Sequence, residues 1–281
     1  MKKSRAFLKW AGGKYPLIEE ICRYLPAGDC LIEPFVGAGS VFLNTEYDRY
    51  ILADINNDLI NLYDIVKTQT DDFIRDAREL FIEEHNVAEI FYLLRDEFNL
   101  CAVPYRRAVL FLYLNRHCYN GLCRYNMRGE FNVPFGRYKK PYFPEEELGW
   151  FAHKARNATF FCENYQQTLL KAIRGAVVYC DPPYAPLSVT ANFTAYHTNT
   201  FNNFDQKSLA RIAHQLSVEN TIPVLISNHD TELTREWYQE AALYVVRARR
   251  TISRNIMRRS KVNELLALYS KPLTLIPYAY E

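Results

Sequence analysis

Leu31-Ile32-Glu33-Pro34-Phe35-Val36-Gly37-Ala38-Gly39-Ser40 opens as a short apolar run and breaks into two glycines one residue apart. Glycines there let the backbone turn tightly and approach a ligand, and a helix predicted over about Ser40 to Thr45 aims its first N–H groups the same way. A glycine pair after a strand is by itself often only a turn. Its weight comes from the next apolar run, Tyr50-Ile51-Leu52-Ala53-Asp54, which ends in an acid fifteen residues beyond Gly39. In nucleoside-binding doubly wound folds an acid at that point accepts hydrogen bonds from ribose hydroxyls. The third glycine of GxGxxG is missing, which suits a nucleoside without a pyrophosphate.

Strand-like runs continue at Ala158 to Cys162, Ala176 to Cys180, Pro223 to Ser227, Leu243 to Arg247 and Glu264 to Tyr269, giving seven with those at Cys30 to Glu33 and Tyr50 to Asp54. Helical patterns lie between them, at about Tyr15 to Tyr24 and Gln206 to Glu219. This alternation predicts a mostly parallel α/β sheet covered by helices. The last two strands are separated only by a basic loop, so they are expected to pair as a terminal hairpin. From about Asn57 to Arg116 the periodicity is helical, and Tyr119 to Tyr142 is rich in Gly, Asn, Pro and aromatics, the pattern of an irregular loop. This middle third reads as an insertion between two halves of the α/β domain.

The chain has 281 residues, 49% hydrophobic and 23% charged, an ordinary globular composition. No window approaches the roughly 20 uncharged apolar residues of a membrane span, and the first residues lack the apolar core of a signal peptide. The 7 cysteines are scattered, as expected of reduced thiols. The net charge of +2 conceals segregation. Residues 71–94 carry seven acids against two bases, residues 95–140 nine bases against three acids, and residues 247–261 seven bases and no acid. Two basic blocks suggest a polyanion footprint, although such runs are commonly only solvated surface.

The strand Ala176-Val177-Val178-Tyr179-Cys180 runs straight into Asp181-Pro182-Pro183-Tyr184. Two prolines lack N–H groups, so the turn presents only acceptors: carbonyls and the Asp181 carboxylate. Such a site receives a group with N–H donors, and Tyr184 adds a flat face beside it. An exocyclic amino group on an aromatic base fits. Acceptors on its hydrogens favour sp³ character and restore the nucleophilicity of a lone pair otherwise delocalised into the ring. Near the N-terminus, Lys9-Trp10-Ala11-Gly12-Gly13-Lys14 is not a P-loop; Lys14 is suited to neutralising a carboxylate.

With FVGAGS before DPPY and KWAGGK in front, the chain resembles the α-class DNA adenine-N6 methyltransferases that use S-adenosylmethionine. More narrowly it resembles the Dam-type enzymes of GATC sites, bacterial or phage, through FLKWAGGKYPL, EPFVGAGSVFLNT, ILADIN, RRAVLFLYLNR, NGLCRYN, RGEFNVPFGRYKKPYFPE and VVYCDPPYAPLSVTANFTAYHTN, as far as about Tyr269. The resemblance implies a Rossmann-like methyltransferase sheet, with residues 1–56 and 145–270 as the catalytic domain. Residues 57–144 would be an inserted helical target-recognition domain and 271–281 a tail. It implies that Trp10, Lys14, Phe35, Gly37, Gly39, Asp54 and Asp181 contact the cofactor. Asp181, Pro182, Pro183 and Tyr184 would hold the flipped adenine for methyl transfer, leaving S-adenosylhomocysteine. Lys9, Leu122, Arg124, Pro134, Arg137 and Tyr138 resemble the GATC readers, Tyr119 and Asn120 the residues inserted where the base leaves the stack, and Arg95, Arg116, Asn126 and Lys139 the phosphate contacts. The implied partner is double-stranded DNA in the cytoplasm, with no membrane, no metal and a monomeric enzyme.

Other chemistries fare worse. Cytosine-C5 methylation needs a thiolate, usually read from Pro-Cys, and that dipeptide is absent. His117, Cys118 and Cys123 lack a second ligand pair for zinc, and neither H-E-x-x-H nor G-x-S-x-G occurs. The remaining alternatives are an amino-methyltransferase of another DNA sequence, of RNA or of a glutamine side chain, and a DNA-binding regulator without catalysis. The Asp opening DPPY disfavours glutamine, and a binder has no need of FVGAGS, Asp54 and DPPY together. Residues 185–200, polar with few apolar anchors, are expected to order over the flipped base.

Overall fold

The computed structural model describes residues 3–185, 201–248 and 262–271. All seven expected strands form: β1 (Cys30–Glu33), β2 (Arg49–Asp54), β3 (Ala158–Cys162), β4 (Ala176–Cys180), β5 (Val224–His229), β6 (Ala242–Ala248) and β7 (Val262–Tyr269). They build one sheet in the order β3-β2-β1-β4-β5-β7-β6. The first five run parallel, whereas β7 is antiparallel to both β5 and β6, with Val224 opposite Tyr269 and Ala242 opposite Leu268. The expected hairpin is therefore present, its second strand lying inside the sheet. This is a Rossmann-like α/β fold. The basic loop at 249–261 and nearly all of 185–200 lie outside the described residues.

Every residue of β1 and β4 is buried, as continuous apolar runs in a sheet covered on both faces must be. Side chains alternate across it. Leu31, Val177, Tyr179, Leu225 and Leu266 face one layer; Ile32, Val178, Cys180, Ile226 and Leu265 face the other. The first layer holds α1 (Ile18–Tyr24), α2 (Asn57–Thr68), α3 (Thr70–Arg78), α4 (Ala88–Leu100), α5 (Pro104–His117) and α6 (Glu145–Ala155), all contributing to one core. The second holds α7 (Tyr165–Leu169), α8 (Asn203–Glu219) and α9 (Glu232–Trp237).

Helix α5 starts on Pro104, which loses nothing by lacking an N–H there, and is buried without interruption from Ala108 to His117. It is the axis of the helical segment, whose Phe91, Phe98 and Phe111 pack in the same cluster as Leu31 and Leu52. The segment shares a core with the sheet. Phe7 closes this core from the N-terminus, edge-on to Phe151 at 5.0 Å and to Tyr63 at 5.9 Å. Burial of each such ring contributes about 1.5–3 kcal/mol.

Two helix expectations change. Ser40 to Thr45 forms only a 3₁₀ turn over Phe42–Asn44, because Thr45 turns extended and bonds back to the Val41 carbonyl at 3.0 Å, while Asn44 ties itself to Ser4 and Ser40. Helix α8 begins before Gln206, where Asn202 and Asp205 form a reciprocal cap. Tyr119 to Tyr142 is irregular, as expected, pinned by isolated bridges between Cys118 and Phe135 and between Tyr125 and Phe131.

Strand order reverses between β1 and β4, with β2 and β3 on one side and β5 onward on the other. Open α/β sheets bind ligands beyond the strand ends at such a point.

Candidate active site

A cavity of about 1040 Å³ opens there, walled by the ends of β1, β2 and β4 and by residues 5–17. At its floor the Gly37 N–H donates to Asp54 Oδ2 at 3.1 Å and the Asn56 N–H to Oδ1 at 3.0 Å. Burial pushes the Asp54 carboxyl up, and these N–H groups oppose the shift. Gly37 has φ +47°, and a Cβ there would stand 3.1 Å from the Trp10 indole, so glycine is what lets Trp10 close over the loop. Gly39, φ +70°, completes the turn through its N–H to the Val36 carbonyl at 2.8 Å. Phe35 stacks on Tyr165, centroids 5.6 Å apart. Next to Asp54, Ile55 is 71% exposed on the cavity wall, an apolar face left open in a folded core.

On the opposite wall, Asp181 follows β4 directly. Its Oδ1 accepts from the Lys14 ammonium at 2.8 Å and from the Ser227 hydroxyl at 3.1 Å, and Ser227 also bonds the Tyr179 hydroxyl at 3.0 Å. The Lys14 ammonium sits 4.6 Å from the centre of the Tyr184 ring, which also meets His229, edge-on at 4.7 Å, and Glu264, which accepts the Tyr184 hydroxyl at 2.7 Å. The Pro183 carbonyl accepts from Gln206 at 2.7 Å, and Asn228 takes the Ala185 N–H at 3.0 Å. The turn is thus held by β5, β7 and α8. Glu33 lies beneath it, fully buried; burial first, then the nearby Asp181 charge, pushes its carboxyl well up. Its Oε1 has no hydrogen-bond partner.

The cavity therefore joins a glycine loop, an acid at the end of β2 and an acceptor-rich turn at the end of β4. The description "D12 class N6 adenine-specific DNA methyltransferase" matches residues 10–252. The chain belongs to this family. A D12-class methyltransferase transfers a methyl group to adenine N6 in DNA, so this enzyme needs a methyl donor and a DNA substrate. A Serratia marcescens protein named DNA adenine methylase is 80% identical over 269 residues, covering 96% of this chain and 100% of its own. Its namesake in Escherichia coli K12 is 68% identical, covering 99% of each. One in Vibrio cholerae is 57% identical, covering 98% of this chain and 99% of that one.

Of the residues expected to contact DNA in this D12 enzyme, most are exposed or half-buried. The Lys9 ammonium lies 3.8 Å from the Tyr138 ring centre and donates to the Arg116 carbonyl at 3.3 Å. Tyr119 is 48% exposed, and Asn120 beside it is exposed at φ +56°. Arg124 is exposed and grips Asn132 by two contacts, at 2.7 and 3.2 Å. Pro134, Arg137 and Lys139 are exposed and Leu122 half-buried. Asn126 caps its own turn, accepting from the N–H groups of Arg128 and Glu130. Arg95 is half-buried, its Nε 4.0 Å from Asp96 and its guanidinium donating to the Val133 carbonyl at 3.5 Å. Arg116 is set apart: 9% exposed, it donates to the carbonyls of Tyr142 and Phe7 and braces the core.

Among the described residues no three His, Cys, Asp or Glu side chains are grouped to hold a metal, and no helix is long and apolar enough to cross a membrane. Burial keeps Cys118 and Cys123 as thiols, raised to about 12 and about 11. Sequence reasoning missed Glu33, Ile55, Tyr165, Ser227, His229 and Glu264. A signal existed for one of them: Glu33 closes the otherwise apolar strand β1 and is buried, a placement that acids almost never take without a purpose.

Proposed function

We propose that this enzyme methylates N6 of the adenine in double-stranded GATC sites, taking the methyl group from S-adenosylmethionine. What carries the reading is that Asp181 and Tyr184 share one cavity with Asp54 and Gly37. Its size is at the upper end of ordinary ligand pockets, about 300–1,000 Å³, and leaves room for a nucleoside donor and a base together. The donor set suits the cofactor. Asp54 has lone pairs left for two ribose hydroxyls, Trp10, Phe35 and Gly39 line the loop below, and Lys14 and Asp181 offer opposite charges to its amino-acid end.

When bound, S-adenosylmethionine supplies an electrophilic methyl on a sulfonium. Transfer would be in-line and direct, the sulfonium–methyl bond breaking as the N6–methyl bond forms and the surplus N6 proton leaving to solvent, so that the chain's task is alignment and charge. Asp181 and the Pro182 carbonyl accept the two N6 hydrogens and draw the lone pair out of the ring, Pro183 holds the turn, and Tyr184 stacks on the base. Lys14 and Ser227 both donate to Asp181 Oδ1, which holds the carboxylate in place and leaves Oδ2 as the oxygen to accept from N6.

A base in this cavity has left its duplex. Residues 57–144, joined by Lys9, supply the reading, with Tyr119 and Asn120 entering the vacated stack, Lys9, Leu122, Arg124, Pro134, Arg137 and Tyr138 facing base edges, and Arg95, Asn126 and Lys139 holding phosphates. The test is to incubate the protein with labelled S-adenosylmethionine and unmethylated duplex and to map the label by sequence. N6-methyladenine at GATC is expected. Label at scattered sequences, on cytosine or on RNA alone refutes the reading.

A further inference from the structure

Besides the contacts of Lys9, the irregular reading segment is fastened to the cavity floor at the corner between β2 and α2. Asn56, immediately after Ile55, accepts the Leu59 N–H with Oδ1 to start α2, and its Nδ2 donates to Cys123 Sγ at 3.4 Å. Two residues on, in the first turn of α2, Asp58 is buried. Its Oδ2 accepts the Tyr125 hydroxyl at 2.6 Å, and its two oxygens meet the Arg107 guanidinium at 2.5 and 3.1 Å. Arg107 in turn donates to the carbonyls of Phe98 and Cys101 at the end of α4. Thus Cys123 and Tyr125, the residues on either side of the exposed Arg124, are both tied to α2. The first residue of that chain, Asn56, donates its own N–H to Asp54.

A buried ion pair is an expensive way to gain stability, since desolvation consumes most of its attraction. Its fixed, two-pronged geometry serves orientation instead. The hydroxyl of Tyr125 and the thiol of Cys123 both stay protonated, because burial pushes each well up, so neither adds a competing charge at this corner.

We propose that Asp58 is a positioning residue that couples the cofactor cavity to sequence reading: filling the cavity fixes the Asp54–Asn56 corner, which fixes the segment carrying Arg124, and binding of GATC does the reverse. This rests on the reading of the cavity as the methyl donor's site. Linkage makes the effect reciprocal, so one coupling factor describes both directions.

The experiment titrates sinefungin, a non-reactive analogue of the donor, into the full-length protein by calorimetry, with and without a GATC duplex, and takes the ratio of the two Kd values. Tyr125→Phe removes only the hydroxyl and leaves Asp58 paired with Arg107. Cys123→Ala removes the second tie, and Cys123→Ser restores a polar acceptor. In the natural protein sinefungin is expected to bind at least about 5-fold tighter with GATC present. The doubly substituted protein should bring the ratio close to one, a loss of about tenfold for the hydrogen bond to a charged acceptor where the starting ratio is that large. Kd without DNA should stay near the natural value, and Cys123→Ser should recover part of the ratio. A ratio unchanged by both substitutions, or a ratio of one in the natural protein, overturns the coupling while leaving methylation at GATC intact. Failure of the natural protein to methylate GATC overturns the functional reading itself. Asp58→Asn serves as the check on the shared acceptor, and a folded variant that keeps the full ratio counts against the proposal.

Discussion

Replacing Gly121 by Ala should separate steric from conformational cost within one loop. Gly121 has φ +62°, and a Cβ there would overlap Lys9 Cβ and lie 2.5 Å from Lys9 Cδ. Lys9 cannot step aside cheaply, because its N–H and carbonyl are both held by the Asn115 side chain on α5, at 2.9 and 2.7 Å. Gly129, with φ +77°, has nothing within 4 Å of its hypothetical Cβ. Both substitutions carry the left-handed backbone penalty, roughly 1 kcal/mol for alanine. Only Gly121→Ala adds overpacking, about 1–3 kcal/mol. Urea unfolding should therefore place Gly121→Ala below Gly129→Ala by about 1–3 kcal/mol. Methylation assays should show a raised KM for GATC duplex in the first variant alone, with sinefungin affinity unchanged in both. Equal unfolding midpoints for the two variants would falsify the packing argument and remove Lys9 from the reading surface.

Asp181→Asn keeps an oxygen for Lys14 but loses the charge beside N6, so kcat should fall about 10²–10³-fold with little change in duplex Kd; near-normal turnover excludes the role. Arg124→Ala should narrow the preference for GATC over single-base variants by about 1–3 kcal/mol, read as kcat/KM ratios. Lys139→Ala should weaken all duplexes alike and reduce the salt slope of binding by about one unit, and the two outcomes exchanged would mean reader and anchor have been confused. His117 is buried against Tyr113 and Phe81, and burial lowers it to about 4. A depressed histidine stabilises the fold above its unfolded value of about 6.5, and that contribution is lost as pH falls through 6.5 toward 4, roughly 3 kcal/mol in all. His117→Phe should flatten the stability curve over that window; an unchanged slope assigns the acid sensitivity elsewhere.

The sheet was legible because each strand is an apolar run bounded by a turn signal, and burial on both faces makes such runs continuous rather than alternating. The glycine loop and DPPY were legible because each needs residue types that few other environments ask for. The turn at Phe42–Asn44 was not, since its helical-looking pattern is overruled by side-chain bonds, the local one from Thr45 to Val41 and the distant one between Asn44 and Ser4. Arg116 looked like its basic neighbours, and only the carbonyls of Phe7 and Tyr142, more than twenty residues away in sequence, reveal it as a core brace. Ser227 and Glu264 escaped for the same reason. Their meaning lies in reaching Asp181 and Tyr184 across strands whose pairing no local pattern states.

That β7 is made last yet lies inside the sheet has a consequence for how the enzyme is born. A ribosome that has finished β6 has produced every element of the cavity's two walls except the strand bearing Glu264. Until that strand slots between β5 and β6, Tyr184 lacks its carboxylate and two strands show unpaired edges, the kind that draws nascent chains into chaperones or aggregates. Fragments from interrupted translation should be cleared as misfolded chains, so the cell is spared stray methylation by half-made enzyme.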